Sequence, residues 1–308
     1  VVEKVATITV SGVVVRNASG KVLTVRKRGT SMFMLPGGKP EPGENPLNAA
    51  LRELGEELEM GVHPEDLDFV GVARTRAANE PDTGLYAALF VLREPVDAVR
   101  LAAELEEFRW VDPDDAAGHG SQAPLNVDHV FPLLRGKGAG EPGRISLRRL
   151  TLEDAPTHNA GEDAESVRWL TDGVASTEES TRAWISRQPS AFDTGRGELV
   201  FGVRVDGNLA GMVTINQTPA EDVFGPGEVN VSYAIYPAYR GRGVGRQAVE
   251  LMLDFTRVMG SFEAAIVRVD PANLPSLRLA ESLDRVEYAG AEQCRGSASA
   301  HHYRVPLS

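Results

Sequence analysis

The stretch Gly37–Met60, GGKPEPGENPLNAALRELGEELEM, places glycine, glutamate and arginine at offsets that neither core packing nor solubility requires. Its second half predicts a helix, and at 3.6 residues per turn Glu53, Glu56 and Glu57 share one face at i, i+3 and i+4. Like charges at that spacing cost an isolated helix about 0.2–0.5 kcal/mol per pair, so a bound cation is the natural compensation. Carboxylate oxygens suit a hard ion, Mg²⁺ or Mn²⁺, and such ions bind polyphosphates. The three glutamates are therefore candidate metal ligands and catalytic residues. The loop from Gly37 to Gly43 is rich in glycine and proline, which suits a close approach of backbone to ligand and makes Gly37 and Gly38 candidate substrate contacts.

The same stretch resembles the Nudix hydrolase box, G-x5-E-x7-R-E-U-x-E-E-x-G-U with U apolar, on Gly38, Glu44, Arg52, Glu53, Leu54, Glu56, Glu57 and Met60. It departs at one position. Glu59 stands where the box has its late glycine and Gly61 follows two residues on, so the helix exit is expected to be displaced. The resemblance implies an α/β/α fold with a mixed sheet, Mg²⁺ or Mn²⁺ on Glu53, Glu56 and Glu57, and hydrolysis of a nucleoside diphosphate linked to another moiety. Arg52 is then expected to orient a carboxylate by a charge-assisted bond. The resemblance also implies a further glutamate, as base or metal ligand, from Glu106 and Glu107, of which Glu107 is placed with the substrate contacts. The polar turn Ala77–Asp82 is positioned to reach over the metal helix, with Asn79 as its candidate contact.

With 308 residues the chain exceeds what one core usually holds and suggests two domains. A hydrophobic content of 42% with 25% charged residues is that of an ordinary globular protein. The net charge of −12 divides into −7 and −5 at Gly136, and the longest basic run is Arg26-Lys27-Arg28, so a nucleic-acid polymer is not an expected partner. The single cysteine, Cys294, excludes an internal disulfide and fits a reducing compartment. No apolar run reaches the roughly 18 residues that would span a bilayer, and the Val1-Val2-Glu3-Lys4 start has no leader pattern. No membrane partner and a cytoplasmic location are expected.

Alternating Val, Ile and Thr over Lys4–Val15, the turn Asn17–Gly20 and a strand at Lys21–Arg26 predict a hairpin. Further strands are predicted at Phe69–Thr75, Gly84–Leu92 and Phe108–Val111, with a closing helix beginning at Asp112–Asp115. Arg135–Arg144 holds four glycines and a proline without apolar period and reads as a linker. Beyond it lie a strand at Ile145–Leu150, helices around Ala164–Leu170 and Glu178–Arg187, and a hairpin of Leu199–Val205 and Leu209–Ile215 about Asp206-Gly207-Asn208. Trp169 and Trp184 are expected in a core or substrate wall, and His301-His302 on the surface without a role.

A second site follows the strand predicted at Val229–Tyr236. Ala234–Arg246, AIYPAYRGRGVGR, enters an apolar-periodic helix at Gln247–Arg257. Backbone N–H groups exposed by glycines at a helix start favour an anion, and Arg240, Arg242 and Arg246 add charge. The candidate pyrophosphate site comprises these arginines with Ile235, Tyr236, Gly241, Gly243, Val244 and Gly245. No Gly-Lys-Ser/Thr ending is present, which disfavours an ATP-type loop. Gly243–Ala248 does satisfy G-x-G-x-x-A, the dinucleotide fingerprint, but its strand follows an antiparallel hairpin rather than opening a βαβ series.

The same residues resemble the acetyl-CoA loop of the GNAT N-acetyltransferases, R/Q-x-x-G-x-G/A, on Arg240, Gly243 and Gly245, and the resemblance extends over Ile145–Ser308. Asn273 and Ser276 match the family's N-x-x-S segment near the thioester end of the cofactor. The resemblance implies a mostly antiparallel central sheet flanked by helices, acetyl-CoA as cofactor, and an amine acceptor, either a small molecule or a protein N-terminus. The oxyanion is expected on a backbone N–H near Ile235, with Glu228 as candidate base and Ser276 or Tyr288 protonating the leaving thiolate. Leu283-Asp284-Arg285 stands where Leu-Gly-Phe is usual, which puts the packing of the final strands in doubt.

Together these features predict an α/β chain of the α+β type carrying two enzymes: a Nudix domain at 1–134, a Gly/Pro linker at 135–144 and a GNAT domain at 145–308. The alternative is one active enzyme whose other domain senses nucleotide or acetyl-CoA.

Overall fold

The computed structural model describes residues 6–102, 104–115, 120–135, 145–170, 173–188, 191, 194, 196–219, 224–292 and 300–307. The chain divides into two compact units, Val1–Gly143 and Arg144–Ser308. Residues 136–144 of the expected linker, Cys294 and the first four residues lie outside the described residues. Among the described residues no helix is long and apolar enough to cross a membrane.

In the first unit β1 (Ala6–Val14) lies between β5 (Thr83–Leu92), to which it is parallel, and the short antiparallel β3 (Gly37–Gly38). β4 (Leu67–Arg76) pairs antiparallel with β5, so the sheet is mixed. β2 (Val22–Lys27) does not complete the expected hairpin with β1. The turn at Asn17–Gly20 forms, and Leu23 N–H still reaches Val15 O (2.8 Å), but β2 then pairs with β6 (Leu105–Val111) in a separate ribbon. The reason is competition: both edges of β1 are taken by β5 and β3. Val14, Leu35, Leu89, Val91 and Phe131 are among the residues that form the core.

Helix α1 (Pro46–Leu58) carries the box. Asn45 caps it, accepting Leu47 and Asn48 N–H at 3.0 Å each, and Pro46 takes the first helical position, where its missing N–H costs nothing. Leu47, Ala50, Leu54 and Leu58 are buried, which turns the helix face into the unit. The helix exit is not displaced. Glu59 itself adopts the left-handed conformation (φ 53°, ψ 32°) that glycine would supply, and its N–H bonds Gly55 O. The closing helix expected at Asp112 is a turn there (Asp115 N–H to Asp112 O, 3.1 Å), and the helical run comes later, ending in α2 (Phe131–Leu134).

The second unit is a seven-stranded sheet in the order β12 (Glu287–Glu292), β13 (Ala300–Pro306), β11 (Ala264–Val269), β10 (Glu228–Ile235), β9 (Asn208–Asn216), β8 (Glu198–Val205), β7 (Ile145–Arg149). All pairs are antiparallel except β10 with β11. The β8–β9 hairpin forms as expected, with positive φ at Asp206 (49°) and Gly207 (78°) as a two-residue turn requires. α3 (Ala155–Gly161) and α5 (Glu178–Arg187) cover one face through Ala155, Ile185, Val200 and Leu209. α6 (Val244–Met259) covers the other, with Phe255 edge-on to Phe201 at 5.1 Å. α4 (Ala164–Leu170) and α7 (Leu274–Glu281) complete the unit.

Despite Asp284 and Arg285, the last strands pair. Leu283 is buried, the two charges are exposed, and Arg285 takes the positive φ (57°) at the bend. His302, expected on the surface, is buried on β13 and stacks with Phe224 at 6.4 Å.

Candidate active sites

In the first unit Arg52 is the hub of the acidic face. It donates from Nε and Nη2 to both Glu44 oxygens (3.1 Å each), from Nη1 to Glu53 (2.8 Å) and Glu56 (3.1 Å), and from Nη2 to Lys39 O (3.1 Å). Hydrogen bonding to Glu44, and then to Glu53, holds its pKa above the ordinary value against burial. The loop glycines are steric requirements. A β-carbon on Gly37 (φ 140°) would strike the Ser11 carbonyl, and one on Gly38 would enter the Glu53 carboxylate.

Glu57 is 2% exposed. Its Oε2 accepts Gly37 N–H at 2.9 Å, while Oε1, 3.4 Å from Lys27 Nζ, has no hydrogen-bond partner among the described residues. Burial pushes its pKa up to about 7, opposed by Gly37 N–H and Lys27. A buried carboxylate oxygen held only by a long ion pair to Lys27, on a helix that carries two more carboxylates, fits a hard divalent cation in its chemistry. Among the described residues, however, no three acidic, histidine or cysteine groups converge on one point. Arg52 stands between Glu53 and Glu56, and Glu57 turns inward to Gly37.

Among the described residues Glu107 bonds to arginines of the ribbon and not to this helix. It is held by Arg26 (2.9 Å) and Arg109 (2.9 Å) on the β2–β6 ribbon, and those guanidinium bonds keep its carboxyl below the ordinary range. Glu106 pairs with Arg26 as well. Lys27 alternates to the strand face opposite Arg26 and reaches both Glu57 and Glu104, so Glu104, which the sequence did not single out, is linked to the box through Lys27. Asn79 lines a cleft of about 980 Å³ between Gly29–Met32 and Arg76–Gly84, its Nδ2 3.5 Å from Met34 Sδ. Lys39 ties this turn to the box loop through Glu80 at 3.2 Å.

In the second unit the site arises from a divergence of strands. The parallel β10–β11 ladder runs only from Glu228 with Ala264 to Val231 with Val267. Beyond it a cleft of about 660 Å³ opens, walled by Val231–Ile235 on one side and Val267–Asp270 on the other. Gly241 (φ 72°) and Gly243 (φ 78°) bend the loop over its mouth, and Gly243 caps α6. Gly241, Gly243, Val244, Gly245, Arg240, Arg246, Ile235, Asn273 and Ser276 all line this cleft. Arg242 is exposed on the loop and is not among the lining residues. Asn273 caps α7 by accepting Ser276 N–H (3.2 Å), and Ser276 Oγ accepts the Tyr233 hydroxyl (3.0 Å). Tyr233, two residues from Ile235 and so on the same strand face, was not anticipated. Burial pushes its pKa up, partly offset by Ser276.

Four candidate residues make contacts other than those their expected roles call for. Glu228 lies at the far end of β10, seven extended residues or about 23 Å from Ile235. It bonds Arg304 (3.0 Å) and Gly225 N–H (2.9 Å). Tyr288 is 58% exposed on β12, packed against His301 and Tyr303, outside the cleft lining. Tyr236 is buried, its hydroxyl 2.9 Å from His158 Nδ1 and its ring against Gly161. Arg240 lines the cleft, but its guanidinium is bound to Asp163, Glu165, Ser166 and Ile235 O. Trp169 forms cleft wall, whereas Trp184 packs in the core beside His158.

Comparison with known proteins finds similarity in both units. A NUDIX domain family matches residues 7–133 and an Acetyltransferase (GNAT) domain family residues 144–285. A MutT-like protein of Streptomyces ambofaciens is 30% identical over 131 residues, 42% of this chain and 79% of that protein. An RNA pyrophosphohydrolase of Halorhodospira halophila is 31% identical over 118 residues, 33% of this chain, and only 64% of its own length is spanned. Among solved structures, a GNAT-family acetyltransferase of Bacillus anthracis is similar at 19% identity, with a TM-score of 0.45 over 54% of this chain and 97% of that one.

Proposed function

This chain belongs to the Nudix family through its first unit and to the GNAT acetyltransferases through its second, and from that premise we propose a bifunctional enzyme. The first unit hydrolyses a nucleoside diphosphate linked to a second moiety with Mg²⁺ or Mn²⁺. The second acetylates an amine from acetyl-CoA.

In the first unit the carrying observation is the buried Glu57 oxygen, which among the described residues has an ion pair with Lys27 but no hydrogen bond, on an acidic helix whose neighbouring carboxylates are gathered by Arg52. Glu53, Glu56 and Glu57 would hold the metal, which supplies an activated water and neutralises charge developing on phosphate. Arg52 keeps Glu53 and Glu56 on one side of the helix, and Gly38 leaves Glu53 its space. The adjoining cleft offers one basic residue, Arg76, beside Glu80 and Asp82, a balance that suits a small nucleotide better than a polyanion. Nucleoside monophosphate release should be assayed over a panel of nucleoside diphosphate derivatives and a 5′-triphosphorylated RNA. Turnover of the RNA alone would overturn the small-nucleotide reading.

In the second unit the carrying observation is the cleft between β10 and β11, closed at its mouth by a glycine loop that begins α6. The loop's N–H groups favour a pyrophosphate. Acetyl-CoA, when bound, supplies the activated acetyl group. Ile235 N–H is the candidate donor to the oxyanion, and the hydrogen-bonded Tyr233–Ser276 pair would return a proton to the leaving sulfur. Calorimetric titration with CoA tests this reading. A Kd weaker than about 1 mM would sink it.

A further inference from the structure

α4 is seven residues long, and the one residue it buries is Ser166. A helix so short is not stable alone, and no buried apolar side chain holds this one in place. Yet Glu165, Ser166, Trp169 and Leu170 form a wall of the cofactor cleft. Its anchor is polar. The donors of Arg240 are directed at five acceptor atoms: Nε at Ile235 O (2.7 Å), Nη1 at Asp163 Oδ2 (2.7 Å) and Glu165 Oε2 (2.9 Å), Nη2 at Asp163 Oδ1 (2.9 Å) and Ser166 Oγ (2.9 Å). Asp163 also accepts Ser166 N–H (2.9 Å) and Oγ–H (2.8 Å), which fixes the first turn of α4. One planar fork thus joins the end of β10, the cofactor loop and the start of α4.

We propose that Arg240 and Asp163 are positioning residues that dock α4 as the wall of the cleft, and that the loop's first arginine acts on the protein rather than on the pyrophosphate. A guanidinium has five N–H groups, and here each has a protein acceptor within 2.9 Å, so an arriving phosphate would have to break an existing charge-assisted bond to use one. Anion recognition then falls to the backbone N–H groups of the loop. Pairing the half-buried Arg240 and Asp163 charges also sets the wall by a planar, directional contact instead of by packing, which fixes where Trp169 stands.

The inference rests on the cleft being the CoA site, and the test separates the two. Hydrogen exchange of the full chain and calorimetric CoA titration are compared for wild type, Asp163→Ala and Asp163→Glu. Asp163→Ala should speed exchange over 164–170 about tenfold or more, leave α6 and β8–β10 unchanged, and weaken CoA about tenfold, because the competent conformation is less populated. Asp163→Glu should recover most of both. Unchanged exchange over 164–170 would overturn the proposal. So would faster exchange with unaltered CoA affinity, or faster exchange spreading into α6. If wild type itself fails to bind CoA, the function assigned to the cleft falls, while the exchange result still decides whether the clamp docks α4.

Discussion

The carboxylate of Glu53 fills the space that a β-carbon on Gly38 would need. The box glycine is thus a steric partner of a candidate metal ligand on a different element, not only a bend. Gly38→Ala should displace Glu53 and lower metal-dependent hydrolysis about 100-fold, with a small change in thermal midpoint. Gly55→Ala, whose β-carbon would meet nothing closer than 3.9 Å inside α1, should keep activity and gain about 0.5–1 kcal/mol in stability. Equal activity of the two variants would refute the steric argument.

Gly243 caps α6 with φ 78° at the mouth of the cleft. Gly243→Asp combines a strained backbone with a like charge beside the expected pyrophosphate. CoA affinity should fall at least about 100-fold, while hydrolysis by the first unit continues. Calorimetry that returns the wild-type affinity would move the cofactor off this loop.

Tyr233→Phe removes the hydroxyl that bonds Ser276 and leaves the ring in place. Thiol release with an accepted amine should slow about 10- to 100-fold at unchanged CoA affinity. Glu228→Gln, by contrast, removes the charge that pairs with Arg304 and one of the two acceptor oxygens that hold Arg304 and Gly225 N–H, and should alter stability by about 1 kcal/mol or less without slowing acetyl transfer. A slow Glu228→Gln variant of normal stability would reinstate that residue as base.

His158 is buried between Tyr236 and Glu162, and burial lowers its pKa below the ordinary 6.5 even though Glu162 and Asp154 raise it. Above that pH the ring is neutral folded or unfolded, and its contribution is intact. As pH falls through about 6.5 the unfolded chain gains a proton that the folded one declines, so stability drops until the lower folded pKa is reached. The thermal midpoint should therefore fall more steeply between about pH 7.5 and pH 5.5 in wild type than in His158→Asn. Parallel curves would place the titration elsewhere.

The elements that local pattern governs were legible. The 3.6-residue spacing located α1, the Asp206-Gly207 turn located the β8–β9 hairpin, and apolar runs located β5 and β11. What spacing could not show was partner choice. β2 follows a turn that looks like a hairpin, yet its pairing was decided by competition for the edges of β1, which only β5 and β3 reveal. The same limit applied to charge. Glu107 and Glu104 are equivalent as letters, yet one pairs with Arg26 and the other with Lys27. Glu228 was read correctly at the start of its strand, but the cleft opens only beyond Val231, and a strand's sequence does not say where its ladder opens. Asp163 carries no motif of its own and acquires its partner only when β10 and α4 meet.

Glu59 shows what the late glycine of the box is for. The helix stops at Leu58 and reverses through a left-handed glutamate, so the position demands a backbone shape and not an atom. An L-residue there costs about 1–2 kcal/mol, an amount a folded unit can carry. Homologues should therefore vary at this point in proportion to their spare stability, and the chain holds a reserve that one substitution, Glu59→Gly, would release without touching the chemistry.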